Sequence, residues 1–205
     1  MQVGVLGGTF DPVHFGHLLL AELCREECRL DRVLFVPAGV PPHKLGRVIT
    51  PAAARGAMLE LAVAGNPAFA VDRRELQRRD PCYTVDTLRE LRQEQPGTQF
   101  VFLMGADSLA DFPTWRTPAE ILRLVEVAVV RRRGEPEPDW SPVRGLGVAN
   151  WEERVRLVTG PAVDYSASEI RRRVGAGASI RYQVPAAVEC YIREHGLYAS
   201  RPDAG

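Results

Sequence analysis

Residues Gly7 to His17, GGTFDPVHFGH, lie between the apolar run Gln2–Leu6 (QVGVL) and a second apolar run that opens at Leu18. The first run is short and stops at paired glycines. The second, LLLAELCREE, carries apolar residues at helical spacing, so the opening reads strand, loop, helix. A plain strand-to-helix turn needs no such collection of two glycines, a Thr, a Pro and two histidines. Gly7 and Gly8 permit a tight path and close approach of a ligand to main-chain N–H groups. The helix that follows directs the positive end of its dipole to the same place, which makes an anion seat. His14 and His17 are three apart, at or just before the first helical turn, and share a face. An imidazole beside a helix N-terminus tends to stay neutral yet still offers an N–H donor. A donor aimed at charge developing on a phosphoryl group is electrostatic catalysis and needs no covalent intermediate. Gly16 leaves room for a bulky group between the histidines, and Asp11-Pro12 reads as a turn.

Working outward, Val33–Val36 is a second short β-branched run, ended by Pro37, which completes a βαβ unit with parallel strands. Thr50-Pro51 offers an N-cap and a Pro at the first helical position for AAARGAMLELAVAG, with Gly65 as the stop. Phe69–Val71 is a candidate strand, Val85–Gln95 a helix, Phe100–Met104 a buried strand, and Val125–Val130 another apolar run. Thr117 to Glu120 and Ser166 to Glu169 carry capping-box signatures, and Asn150 with Glu153 repeats the pattern more weakly. Pro185–His195, with Gly196 behind it, closes the pattern as an amphipathic helix. Glu135–Asn150, rich in Pro and Gly, resembles a flexible loop or an insertion. The alternation predicts an α/β, doubly wound, mostly parallel sheet formed by a single domain spanning residues 1–205. Ligands of such sheets sit beyond the carboxyl ends of the strands, where the opening loop leaves.

Composition sets bounds on the partners. The chain has 205 residues, 45% of them hydrophobic and 25% charged, which is globular composition. Lys plus Arg equals Asp plus Glu at 26 each, so no global attraction draws in a nucleic acid, whereas a small anion held by a few placed residues fits. Four cysteines without scaffold spacing, no signal-like N-terminus and no apolar run long enough to span a membrane point to the cytoplasm. Cys24 and Cys28 lie four apart on a helix but lack a second pair of ligands, so structural thiols are preferred over zinc. Neither a P-loop nor a G-x-G-x-x-G after the first strand is present. The oligomeric state stays open, and a homo-oligomer is compatible with the sequence.

The string Gly7 to His17 resembles the signature of the nucleotidyltransferase superfamily, whose His-x-Gly-His motif is also similar to that of class I aminoacyl-tRNA synthetases. The rest of the chain narrows the resemblance. Pro41-Pro42-His43-Lys44, Tyr83 to Leu88, Gly105 to Leu109, Trp115, Ser166 to Arg171, Tyr191-Ile192 and Gly196-Leu197-Tyr198 are similar, in order, to the bacterial nicotinate-nucleotide adenylyltransferases. Members of that family transfer AMP from ATP to nicotinate mononucleotide, giving deamido-NAD and pyrophosphate. The resemblance implies that His14 and His17 contact the ATP phosphates, with Gly7, Gly8, Thr9 and Phe10 lining the seat between the nucleotides. It places Ser166, Ser168 and Arg171 in a second phosphate clamp, with Arg171 counted beside the histidines as catalytic. Gly105 and Asp107 would meet the adenosine ribose, Lys44 would add positive charge, and Thr84, Trp115 and Arg116 would border the pyridine ring and its carboxylate. Mg²⁺ would travel with the ATP phosphates, so no residue is assigned as a metal ligand.

Two departures stand out. The family usually has Ile-Ser-Ser-Thr where this chain has Tyr165-Ser166-Ala167-Ser168, and usually Ser at the place of Cys82. Several positions also have plainer readings. Ser166 with Glu169 is explained as a helix cap, Trp115 as core, Lys44 as an exposed loop lysine, and Asp107 as a helix N-cap. Arg131-Arg132-Arg133 reads first as the solvated end of a strand, with one Arg near a nucleotide as the alternative, and is left outside the site. Rival functions are another transferase of the superfamily, with phosphopantetheine or a sugar or glycerol phosphate as acceptor, and a nucleotide-binding regulator without turnover.

Overall fold

The computed structural model describes residues 1–41 and 48–199. Its strands are β1 (Gln2–Gly8), β2 (Arg32–Pro37), β3 (Phe69–Val71), β4 (Gln99–Gly105), β5 (Glu126–Arg132) and β6 (Val155–Gly160). Its helices are α1 (Phe15–Glu27), α2 (Ala52–Val63), α3 (Thr84–Glu94), α4 (Pro118–Leu124), α5 (Ser141–Arg144), α6 (Ala167–Gly175) and α7 (Ala186–Glu194). The strands form one sheet in the order β3-β2-β1-β4-β5-β6, with every neighbouring pair parallel. Val5 of β1 lies opposite Leu34 of β2 and Phe102 of β4. Because both faces of a parallel sheet are covered, its central strands are continuous apolar runs, as β1, β2 and β4 are.

One core packs α1, α2, α6 and α7 on one face, through Ala21, Met58, Leu59, Ile170 and Val188. The other packs α3 and α4 on the opposite face, through Val85, Leu88, Ile121 and Leu122. Chain connections leave β1 in one direction along the sheet and β4 in the other. The carboxyl ends of β1 and β4 are therefore the switch point where a doubly wound sheet opens a crevice.

The structure corrects four local expectations. β6 went unread because its residues alternate between buried and outward polar positions, as they do on a sheet edge. Arg156 pairs with Glu126 at 2.7 Å and Thr159 accepts a bond from Arg131 at 3.1 Å, both across to β5. The stretch 135–150 contains α5, buries Val143 and sets Trp140 against Trp151 at 6.1 Å, so packing organises what composition suggested was a loose loop. Thr50 does not cap α2. Pro51 occupies that place, and the Thr50 amide is directed to the Asp11 carboxylate instead. Thr117 and Asn150 stand at helix starts in left-handed conformation, φ 46° and 53°, and neither side chain makes a cap bond.

Candidate active site

The bend after β1 is built around a ring. Phe10 takes a left-handed conformation, φ 49°, which folds its side chain back beneath the strand end, buried against Phe35. A Cβ on Gly8 would meet that ring at 2.9 Å, so only glycine fits there. Phe10 touches His17 edge to face at 4.9 Å and therefore supports the imidazole from below rather than lining the seat. The carbonyls of the bend are held from outside. Arg55, 1% exposed, donates to the carbonyls of Thr9 at 2.8 Å, Thr50 at 2.9 Å and Gly39 at 3.1 Å. Arg171 donates to the carbonyl of Asp11 at 2.6 Å.

His14 is the N-cap residue of α1, and its backbone N–H donates to Nδ1 of His17 at 3.2 Å. Nδ1 of His17 is thereby the acceptor, so the neutral ring carries its proton on Nε2. The two rings stack with centroids 3.7 Å apart. Burial pushes the His14 pKa from 6.5 down to about 4, which keeps that imidazole neutral. Neutrality was expected from the helix dipole; desolvation is the cause found. Gly16 lines the smaller cavity and has a second reason to be glycine. A Cβ there would lie 3.0 Å from Nδ1 of His14 and 3.3 Å from the Tyr165 Cβ, so the glycine makes room for the imidazole itself.

Two cavities open at the switch point and meet at this pair. The larger, about 460 Å³, is lined by Gly7, Gly8, Thr9, Thr84, Trp115 and Arg116 among others. The smaller, about 170 Å³, is lined by His14, Asp107, Val130, Arg131, Arg132 and Tyr165 among others. His17, Leu20 and Gly105 form walls of both. A ligand in either cavity thus has the same imidazole at its inner end.

The cytidylyltransferase-like family model matches residues 5–173. A probable nicotinate-nucleotide adenylyltransferase of Thermomicrobium roseum is 52% identical over 96% of this chain and 91% of its own length. The chain belongs to the nicotinate-nucleotide adenylyltransferase family. A second relative of that name, from Thermus thermophilus, is 46% identical over 97% of this chain and all of its own length. Among solved structures, a nicotinic acid mononucleotide adenylyltransferase of Plasmodium falciparum complexed with NaAD superposes with a TM-score of 0.77. At 17% identity, over 96% of this chain and 97% of that one, this shows a shared fold.

Against the residues that the adenylyltransferase resemblance singled out, the structure sorts cleanly. Gly7, Gly8, Thr9, Thr84, Trp115 and Arg116 share the larger cavity, Asp107 and His14 line the smaller, and Gly105 and His17 line both. Trp115 is half-buried against Phe102 at 5.8 Å and Phe112 at 5.4 Å, so it serves core and cavity together. Arg116 lies over the Tyr83 ring at 4.6 Å and pairs with Asp86 at 3.4 Å. Ser166, Ser168 and Arg171 line neither cavity. Ser166 caps α6, accepting from the Glu169 amide, and its Oγ lies 2.8 Å from that of Ser168; their neighbour Tyr165 reaches the smaller cavity, its ring 6.3 Å from His14. Lys44 lies outside the described residues.

Sequence reasoning missed the far wall of the smaller cavity, Val130 to Arg132 with Gly160-Pro161. A signal existed, because a strand ending in arginines at the carboxyl edge of a parallel sheet faces the ligand crevice. It also missed Glu75, which lines the larger cavity, is 7% exposed and accepts from Thr87 at 2.5 Å. Burial pushes its carboxyl pKa up. Cys82, where the family usually has Ser, lines that cavity too and donates its thiol to the carbonyls of Glu75 and Asp80. Cys24 and Cys28 are buried in the core beside α1, where burial raises both thiol pKa values and leaves them inert.

Proposed function

We propose that this enzyme moves AMP from ATP to nicotinate mononucleotide, forming deamido-NAD and pyrophosphate, with ATP in the smaller cavity and the mononucleotide in the larger. The observation that carries the reading is the shared wall. Two cavities that each fit part of a nucleotide meet at one imidazole and at the N-terminus of one helix. The names of the relatives support nicotinate mononucleotide over other acceptors.

In this reading the mononucleotide phosphate attacks the α-phosphorus of ATP in line and pyrophosphate leaves. Two anions repel, so most of the rate comes from bringing them together and from donors fixed where charge spreads. His17, its proton held on Nε2 by the bond at Nδ1, is such a donor, and His14 is neutral beside it. Stacking at 3.7 Å holds the two rings together as one unit at the wall between the cavities. Arg131 and Arg132 at the smaller cavity and Arg116 at the larger supply positive charge at the outer ends. Ser166, Ser168 and the remaining N–H groups of Arg171 form the second phosphate clamp as ATP settles against α6.

Mg²⁺ would be held by the ATP phosphates and would neutralise part of their charge. The carboxylates lining the smaller cavity, Asp107 and Glu135, are both tied to Arg132, at 3.4 and 3.5 Å, and offer no dedicated cage. Among the described residues no helix is long and apolar enough to cross a membrane, and the proposed setting is the cytoplasm. The deciding experiment measures pyrophosphate release from ATP with nicotinate and nicotinamide mononucleotides side by side. Release should depend on the acceptor and favour the nicotinate form. Equal release without an acceptor, or none with either, overturns the reading.

A further inference from the structure

We propose that Tyr198 is a positioning residue for AMP transfer, acting through the carboxylate of Asp11 on the bend that carries the two histidines. Asp11 lies within the bend, 5% exposed, three residues before His14. A carboxylate so buried needs partners, since desolvation without them is expensive. Among the described residues two donors reach it: the Tyr198 hydroxyl at 2.6 Å on Oδ1, and the Thr50 amide at a long 3.4 Å on Oδ2. The short bond is the strong one, because a hydroxyl donating to a charged oxygen is charge-assisted.

The way Tyr198 reaches Asp11 argues for a dedicated contact. After α7 the chain turns through Gly196, φ 59°, and Leu197 closes the turn by donating to the Ile192 carbonyl at 3.0 Å. Tyr198 then takes a left-handed conformation, φ 62°, which a tyrosine adopts only when its surroundings require it. The ring packs on the core that α7 shares with α1 and α2, and that apolar packing already secures the segment. The hydroxyl adds a directed bond to the carboxylate of the bend. Burial and the neighbouring carboxylate push the phenol pKa up, so the donor keeps its proton throughout the working range.

The surrounding bonds show why one hydroxyl matters. Arg55 holds the Thr9 carbonyl and Arg171 the Asp11 carbonyl, so the main chain of the bend is pinned on both sides of Phe10. The Asp11 side chain is a further grip, and among the described residues Tyr198 supplies its shortest bond. Loosening it lets the backbone N–H of His14 drift from Nδ1 of His17, the contact that sets the proton of His17 on Nε2. An imidazole misplaced by a fraction of an ångström loses transition-state contact before it loses binding.

The inference rests on the adenylyl-transfer reading, and the test separates the two. Tyr198→Phe removes one oxygen and keeps the buried ring. The expected result is a fall in kcat of about tenfold or more with both KM values within about twofold of wild type, because the cavities are untouched. Broadened or shifted His14 and His17 ring resonances should accompany it in the ligand-free protein, with those of His195 unchanged. The double variant Tyr198→Phe with Asp11→Ala should be no slower than Asp11→Ala alone, since without the carboxylate the hydroxyl has nothing on the bend to act through. An active wild type with Tyr198→Phe of unchanged kcat, or additive losses in the double variant, overturns the positioning role and leaves the reaction standing. Absent pyrophosphate release by wild type overturns the reaction, and unmoved histidine resonances in Tyr198→Phe then overturn the positioning role independently. If Asp11→Ala fails to fold, the kcat-against-KM split and the resonances of Tyr198→Phe decide the matter alone.

Discussion

The two cavities that share His17 are walled by different halves of the sheet. The larger spans the ends of β1, β2 and β4, where each strand is a continuous apolar run buried on both faces, and aromatic side chains close it: Trp115, Tyr83 and Phe102. The smaller hangs over β4, β5 and β6, with aliphatic walls from Leu20, Leu23, Val130 and Val163 and a rim of Arg131, Arg132, Asp107 and Glu135. Flat aromatic walls suit a ring with a charged substituent, whereas aliphatic walls under a charged rim suit a base below and phosphates above. The difference fits the proposal that each cavity takes one substrate, with His17 on the wall they share.

Removing the seam should have the largest effect. His17→Ala takes away the donor common to both cavities and should lower kcat by about a hundred- to a thousandfold while the fold is retained. Turnover near that of wild type, measured as pyrophosphate release, would leave two adjoining pockets with no shared chemistry. Next comes the acid side of His14. Its folded pKa, about 4, lies below the ordinary 6.5, so the folded state binds fewer protons than the unfolded one between those values. The stability from this group is whole above pH 6.5 and is lost as pH falls towards 4, by about 3 kcal/mol in all. Denaturant unfolding of wild type and His14→Gln at pH 7 and pH 4.5 checks the sign: the wild type should lose more stability than the variant. Equal losses would mean that the ring is not held neutral by its burial.

The smallest effects should separate the cavities most directly. Trp115→Ala should raise KM for the mononucleotide by up to about tenfold and leave that for ATP alone, as loss of one aromatic contact implies. Arg132→Ala should do the reverse by a few-fold only, since its rim position is solvated and it already shares its charge with Asp107 and Glu135. Steady-state kinetics with each substrate varied in turn reads both, and crossed effects would dissolve the assignment.

Legibility in the sequence follows the same division. β1, α1 and β2 could be read because strands in the middle of a parallel sheet are apolar throughout and because the bend between β1 and α1 concentrates residues that a turn does not need. The larger cavity followed from matched motifs, Thr84, Trp115 and Arg116 arriving together. β6 could not be read, since its few apolar residues, Val155, Leu157 and Val158, are interrupted by polar ones satisfied across the sheet, Arg156 by Glu126 and Thr159 by Arg131, and make no apolar run. With β6 unseen, the neighbouring arginines of β5 looked like a solvated end, and the wall of the smaller cavity went with them. Arg55 was hidden for another reason. A cation inside an amphipathic helix pattern gives no sign that the carbonyls of Thr9 and Gly39, from other segments, will converge on it with that of Thr50.

The bond between Tyr198 and Asp11 joins positions 187 apart in the chain. During synthesis both histidines leave the ribosome early, and the partner of their bend arrives only after the whole sheet has been made. A nascent chain, or one clipped before Tyr198, therefore carries the complete signature without that contact, and on the positioning role proposed for Tyr198 a proteolytic nick near residue 195 should slow catalysis at a centre it never touches.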